Sequence, residues 1–136
     1  SENPTGASEI FTVEDDGIAQ DWEPDKAGLI YVNPPYGREL KFWVEKCVSE
    51  SVKRPFLRQH SLNSEIILLM PARTDTSYWH HGVLGHADAI CYLRGRLRFK
   101  GANASAPFPS ALVYFGDRPN GFRDHFRGIG HVHLPV

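Results

Sequence analysis

The sequence predicts an α/β fold: one mostly parallel sheet with helical crossovers and an antiparallel final pair of strands. Three observations carry that expectation. Apolar runs of strand length recur at residues 29–32, 65–70, 89–93 and 111–115, bounded by proline, glycine or polar residues. The first three are separated by stretches long enough for a helix, the spacing of crossover units. The third and fourth are joined by a loop without a helix, so their natural pairing is antiparallel.

Taken in order, residues 1–8 are polar and turn-like, and residues 9–13 have the length of a short strand. Glu14, Asp15, Asp16 and Gly17 form an acidic turn in a region that Trp22 closes. Leu29, Ile30, Tyr31 and Val32 read as a short buried strand. Pro34 and Pro35 stop it, because neither can donate to a ladder. Gly37 then lets the backbone turn away. Leu40, Trp43, Val44, Cys47, Val48 and Val52 recur at three- and four-residue spacing, which predicts a crossover helix packed on the sheet.

Residues 53–64 are a polar connection in which Pro55 excludes helix. Residues 65–70 read as a fully buried parallel strand. A loop follows at 71–75, where Thr74 or Asp75 can cap a helix running to about Leu84. Residues 89–93 are the third strand. Arg94, Arg96, Arg98 and Lys100 then alternate with Gly95, Leu97 and Phe99; if that stretch is extended, the four cations share one face. Residues 101–109 are a small-residue loop with two prolines, and 111–115 the last strand. The organisation expected is a single domain over 1–136: an N-terminal segment at 1–28, an α/β core at 29–116 and an irregular tail at 117–136.

Composition sets outer bounds. A chain of 136 residues, 41% hydrophobic and 23% charged, has the size and balance of one globular domain. Its net charge of −1 gives no global attraction to nucleic acid, so such binding must come from a local patch. Cys47 and Cys91 are isolated, with neither a disulfide framework nor zinc spacing. No apolar run approaches the ~20 residues of a membrane span, and Ser1-Glu2-Asn3-Pro4 lacks a signal pattern. A cytoplasmic location is expected. His80, His81 and His86, and His131 with His133, have no carboxylate or cysteine at supporting spacing, so no metal is expected.

The most informative stretch is Asn33-Pro34-Pro35-Tyr36. It could be a plain strand-ending turn. It also suits methylation of a planar amino group. Such a group is a poor nucleophile because its lone pair is delocalised. Acceptors on its two hydrogens draw the lone pair out of conjugation. The Asn33 side-chain oxygen is one acceptor and the Pro34 carbonyl a second. Tyr36 offers a face for stacking the ring that carries the amine.

This tetrapeptide resembles the catalytic motif of amino-group methyltransferases that use S-adenosylmethionine. The stretches Asp15-Asp16-Gly17-Ile18-Ala19-Gln20-Asp21-Trp22, Leu68-Leu69-Met70-Pro71-Ala72-Arg73-Thr74-Asp75-Thr76 and Gly95-Arg96-Leu97-Arg98-Phe99 are similar to those of one branch, the phage-type DNA adenine-N6 methyltransferases. The resemblance implies a partial Rossmann-like methyltransferase sheet and S-adenosylmethionine as cofactor. It implies DNA as partner and Asn33, Pro34, Pro35 and Tyr36 as catalytic residues. An acid near the cofactor would be Asp16 or Asp21. Arg73, Thr74 and Asp75 would face the substrate, and Arg94, Arg96, Arg98 and Lys100 the phosphates. Against the family pattern, the chain is expected to lack the upstream cofactor-binding part. Two other readings stay open: a non-catalytic nucleic-acid-binding module, and a protein-glutamine methyltransferase sharing the tetrapeptide. An apolar edge at Leu29, Ile30, Tyr31 and Val32 without its upstream neighbour predicts a homodimer.

Overall fold

The computed structural model describes residues 17–18, 22, 28–52, 64–98, 101 and 104–135. Its elements are β1 (Gly28–Val32), α1 (Leu40–Ser51), β2 (Ser64–Pro71), α2, β3 (Ala89–Leu93), β4 (Ser110–Phe115), α3 (Pro119–Phe126) and β5 (Gly130–His133). Helix α2 is π-helical over Tyr78–Val83 and ends in an α-helical turn at Leu84–His86. The expected strand at 9–13 and the connection at 53–63 lie outside the described residues.

The strands form one sheet in the order β1-β2-β4-β3-β5. Only β1 and β2 are parallel neighbours. Strand β4 is antiparallel to β2 and to β3, and β5 is antiparallel to β3. This corrects the expectation of a mostly parallel sheet. The cause is β4, whose six residues are all buried. A strand that must be covered on both faces belongs inside a sheet, and β4 enters between β2 and β3. Because β2 and β3 are each antiparallel to β4, they still run in the same direction as each other and as β1. The β3–β4 pairing is antiparallel, as the loop between them predicted.

Side-chain alternation splits the core into two layers. Val32, Ile66, Leu68, Met70, Ile90, Ala111, Val113 and Phe115 pack with Leu40, Val44 and Cys47 of α1 and Trp79 and Val83 of α2. The opposite face carries Ile67, Leu69, Ala89, Cys91, Leu112 and Tyr114 under Phe122 and Phe126 of α3. Helices α1 and α2 approach closely at Gly82, where an added Cβ would lie 2.6 Å from Val44 Cγ1.

Three further expectations change. The stretch 117–136 is not irregular: it carries α3 and β5. Pro119 sits in the first turn of α3, where its missing N–H costs nothing. Phe122 and Phe126, four residues apart, supply its buried face. Strand β1 is not fully buried. It is the outermost strand on its side among those described, with Leu29 61% and Tyr31 53% exposed; Ile30 and Val32 alone turn toward the core. The turn before α2 is capped by Thr76, rather than Thr74 or Asp75. The Trp79 amide donates to Thr76 Oγ1 at 3.3 Å, and Thr76 Oγ1 donates to the Arg73 carbonyl at 2.7 Å.

Candidate active site

The carboxyl ends of β1, β2 and β3 point to one rim of the sheet. Register fixes the heights there. Val32 lies opposite Leu68, Met70 opposite Ala111, and Ala111 opposite Tyr92. The turn at Asn33, the loop at Arg73 and the segment entering β4 therefore emerge side by side, where ligands bind in open α/β sheets.

Asn33 is exposed at the end of β1, with Pro34 buried behind it and Pro35 exposed. Gly37 takes φ 131°, a conformation L side chains resist. Its carbonyl then accepts the Leu40 amide at 3.2 Å and starts α1. The tetrapeptide is thus held between a strand and a helix that both pack in the core.

Tyr36 is half-buried. Its ring meets Phe108 nearly perpendicular, at 72° with centroids 5.2 Å apart. The Arg73 guanidinium lies over the same Phe108 ring at 5.4 Å, within cation–π range. The Ala72 amide donates to the Pro109 carbonyl at 2.9 Å, tying the two loops together. Burial, and then the neighbouring Tyr31, push the Tyr36 phenol above its usual range, so it is a neutral aromatic surface at ordinary pH.

The remaining predicted site residues are dispersed. Thr74 and Asp75 are exposed on the turn after β2, and the Thr74 carbonyl pairs with His80 Nε2 at 2.8 Å. Strand β3 ends at Leu93, and Gly95, with φ 75°, turns the chain; Arg94 does not share a strand face with Arg96 and Arg98. Arg96 Nη1 reaches the Ala106 carbonyl at 3.4 Å, and Arg98 is exposed. Asp16, Asp21 and Lys100 lie outside the described residues. Among the described residues no three His, Cys, Asp or Glu side chains converge to hold a metal, and no helix is long and apolar enough to cross a membrane.

Sequence reasoning missed Phe108, which joins Tyr36 to Arg73. A signal was present: it is the lone aromatic of the loop and stands between Pro107 and Pro109, which hold its backbone extended.

An α/β sheet carrying Asn-Pro-Pro-Tyr on the rim at the end of a strand defines a methyltransferase-like domain. The family model of DNA N-6-adenine-methyltransferase (Dam) matches residues 1–111. The chain belongs to that family. No curated protein and no solved structure matches it.

Proposed function

We propose that this domain methylates the exocyclic amino group of adenine in DNA. The observation that carries the reading is Asn33, exposed at the tip of β1 beside a braced Tyr36. The adenine swings out of the duplex and stacks on Tyr36. The Asn33 oxygen and the Pro34 carbonyl accept its two amino hydrogens, and the nitrogen lone pair localises. Preorganised dipoles of this kind stabilise charge as it develops. S-adenosylmethionine, when bound, would supply an electrophilic methyl carbon whose bond to the sulfonium sulfur breaks as the N–C bond forms, so that the leaving group is a neutral thioether. One of the held hydrogens leaves to water once the nitrogen is alkylated. No described strand lies outside β1, so among the described residues that flank of Asn33 is open to a donor; Asp16 or Asp21 would hold it. Arg73 and Asp75 form the second wall, with Thr74 beside them. Arg94, Arg96, Arg98 and Lys100 contact phosphates.

The common direction of β1, β2 and β3 supports reading the sheet as part of a Rossmann-like one. Leu29 and Tyr31, exposed on the outermost of the described strands, support self-association across β1; light scattering at micromolar concentration should give twice 15.3 kDa, and a monomer mass would remove that expectation.

Radiolabelled S-adenosylmethionine tests the activity. Label is expected in adenine-containing DNA, recovered as N6-methyladenine after digestion. Label found only in protein glutamine would transfer the reading to the other user of this tetrapeptide. No heat of cofactor binding in titration calorimetry would leave a non-catalytic module.

A further inference from the structure

A second concave surface lies on the same rim, at the far side of the sheet from Asn33. It is a cleft of about 470 Å³ lined by Tyr92, Arg94, Arg127, Gly130 and His131. Two guanidiniums and an imidazole face it, and no carboxylate lines it. Among the described residues, Arg118 is paired with Glu65 and Arg123 with Asp124, whereas no ion pair engages Arg94, Arg127 or His131. In a chain of net charge −1, this is a local concentration of uncommitted positive charge in a concavity, which focuses potential toward an anion.

The cleft is held by backbone on three sides. Tyr92 and His131 are register partners of β3 and β5. The Arg94 amide donates to the Ile129 carbonyl at 2.9 Å, and the Arg127 amide to the Arg123 carbonyl at 2.9 Å at the end of α3. Gly130 is buried, so close to the Tyr92 carbonyl and Cys91 Sγ that a Cβ there would collide with both. Glycine is what lets β5 seat against β3 and bring Arg127 and His131 beside Arg94.

Position identifies the anion. By register the cleft stands one to three residues beyond the level of Asn33, roughly 3–10 Å, and three to four strands away in the order β1-β2-β4-β3-β5. At ~4.8 Å per strand that is about 14–19 Å, or roughly four to six nucleotide steps at ~3.4 Å each along a duplex. A single bound DNA can reach both. We propose that Arg94, Arg127 and His131 clamp a backbone phosphodiester of the same DNA whose adenine is held at Asn33. This rests on the methyl-transfer reading for the identity of the nucleic acid. It adds the α3–β5 segment, through Arg127 and His131, to the DNA surface. Guanidiniums suit the task, since their forked donors match phosphate oxygens.

The test is fluorescence anisotropy with a labelled adenine-containing duplex, over roughly 50–200 mM salt. Arg94→Gln and Arg127→Gln should each lower the slope of log affinity on log salt by about one, and the double variant by about two. His131→Gln should weaken binding without abolishing it, and Arg127→Lys should keep the wild-type slope. A wild-type slope in the folded double variant overturns the clamp, as does a wild-type protein that binds no DNA. Asn33→Ala separates the two readings, because it should keep the full slope while losing methyl transfer. Arginine-dependent DNA binding without any methyl transfer sinks the proposed activity alone. Methyl transfer with a slope indifferent to both arginines sinks the clamp alone.

Discussion

Phe108 stands nearly perpendicular to Tyr36, with ring centroids 5.2 Å apart, and carries the Arg73 guanidinium 5.4 Å from its own centroid. The three side chains come from three different loops. The first expectation concerns this brace. Phe108→Leu keeps apolar bulk but removes the ring pair, worth about 0.5–1.5 kcal/mol beyond burial. Urea melts should show a loss of that size. Tyr36→Ala should weaken capture of the extruded base by roughly 1–3 kcal/mol, whereas Tyr36→Phe should keep most of it. A large loss on Tyr36→Phe would assign the work to the hydroxyl and contradict stacking.

Asn33→Ala should leave the fold intact, since the side chain is exposed. Methyl transfer should fall on the order of a hundredfold or more, the usual effect of losing one preorganised transition-state contact. Circular dichroism and a labelled-methyl assay on the same preparation check both halves. An unfolded variant, or an active one, would return Asn33 to the role of a plain turn residue.

Much of this was legible in the sequence because it rests on local signals. The run at 29–32 followed by Pro34 and Pro35 marks a strand tip, and the spacing from Leu40 to Val52 marks α1. The pairing partners were not legible. Nothing local in residues 111–115 says that β4 inserts between β2 and β3; that follows from where a fully buried strand finds neighbours. The tail was misread because its Gly, Arg and His content hides two good signals, Pro119 opening a helix and Phe122 with Phe126 facing the core. The cleft of Arg94, Arg127 and His131 joins residues up to 37 positions apart, and only the β3–β5 register brings them together.

Gly37 offers a test of backbone strain without side-chain crowding. Its φ is 131°, and a Cβ placed there would meet nothing within 4 Å. Gly37→Ala should therefore destabilise through conformation alone, by roughly 1–3 kcal/mol. Because that turn sets the direction of α1 from Asn33, methyl transfer should fall more than stability does. Wild-type stability in Gly37→Ala would mean that the turn relaxes to a negative φ.

The last expectation concerns the opposite end of the sheet, where Tyr114 anchors α3. Its ring stacks on Phe122 at 5.0 Å. Its hydroxyl donates to Glu65 Oε2 at 2.6 Å and accepts the Arg118 amide at 3.0 Å. Burial first, then the hydrogen bond to Glu65, hold the Tyr114 phenol well above its ordinary value of 10.0. Ionising it would set two anions against each other at hydrogen-bond distance. The folded state therefore keeps a proton that the unfolded chain gives up near pH 10. The stabilisation is fully present below that pH and declines as pH rises above it toward the folded value, because only the unfolded state gains by releasing the proton. Tyr114→Phe should lose about 1.5–3 kcal/mol near neutrality, the usual worth of a hydrogen bond to a charged group. It should also flatten the alkaline decline. Some slope should persist, since burial raises Tyr36 and Tyr92 as well. Urea melts of both proteins at about pH 8, 9, 10 and 11 measure the difference. Parallel curves across that range would show that Tyr114 does not carry the pH dependence.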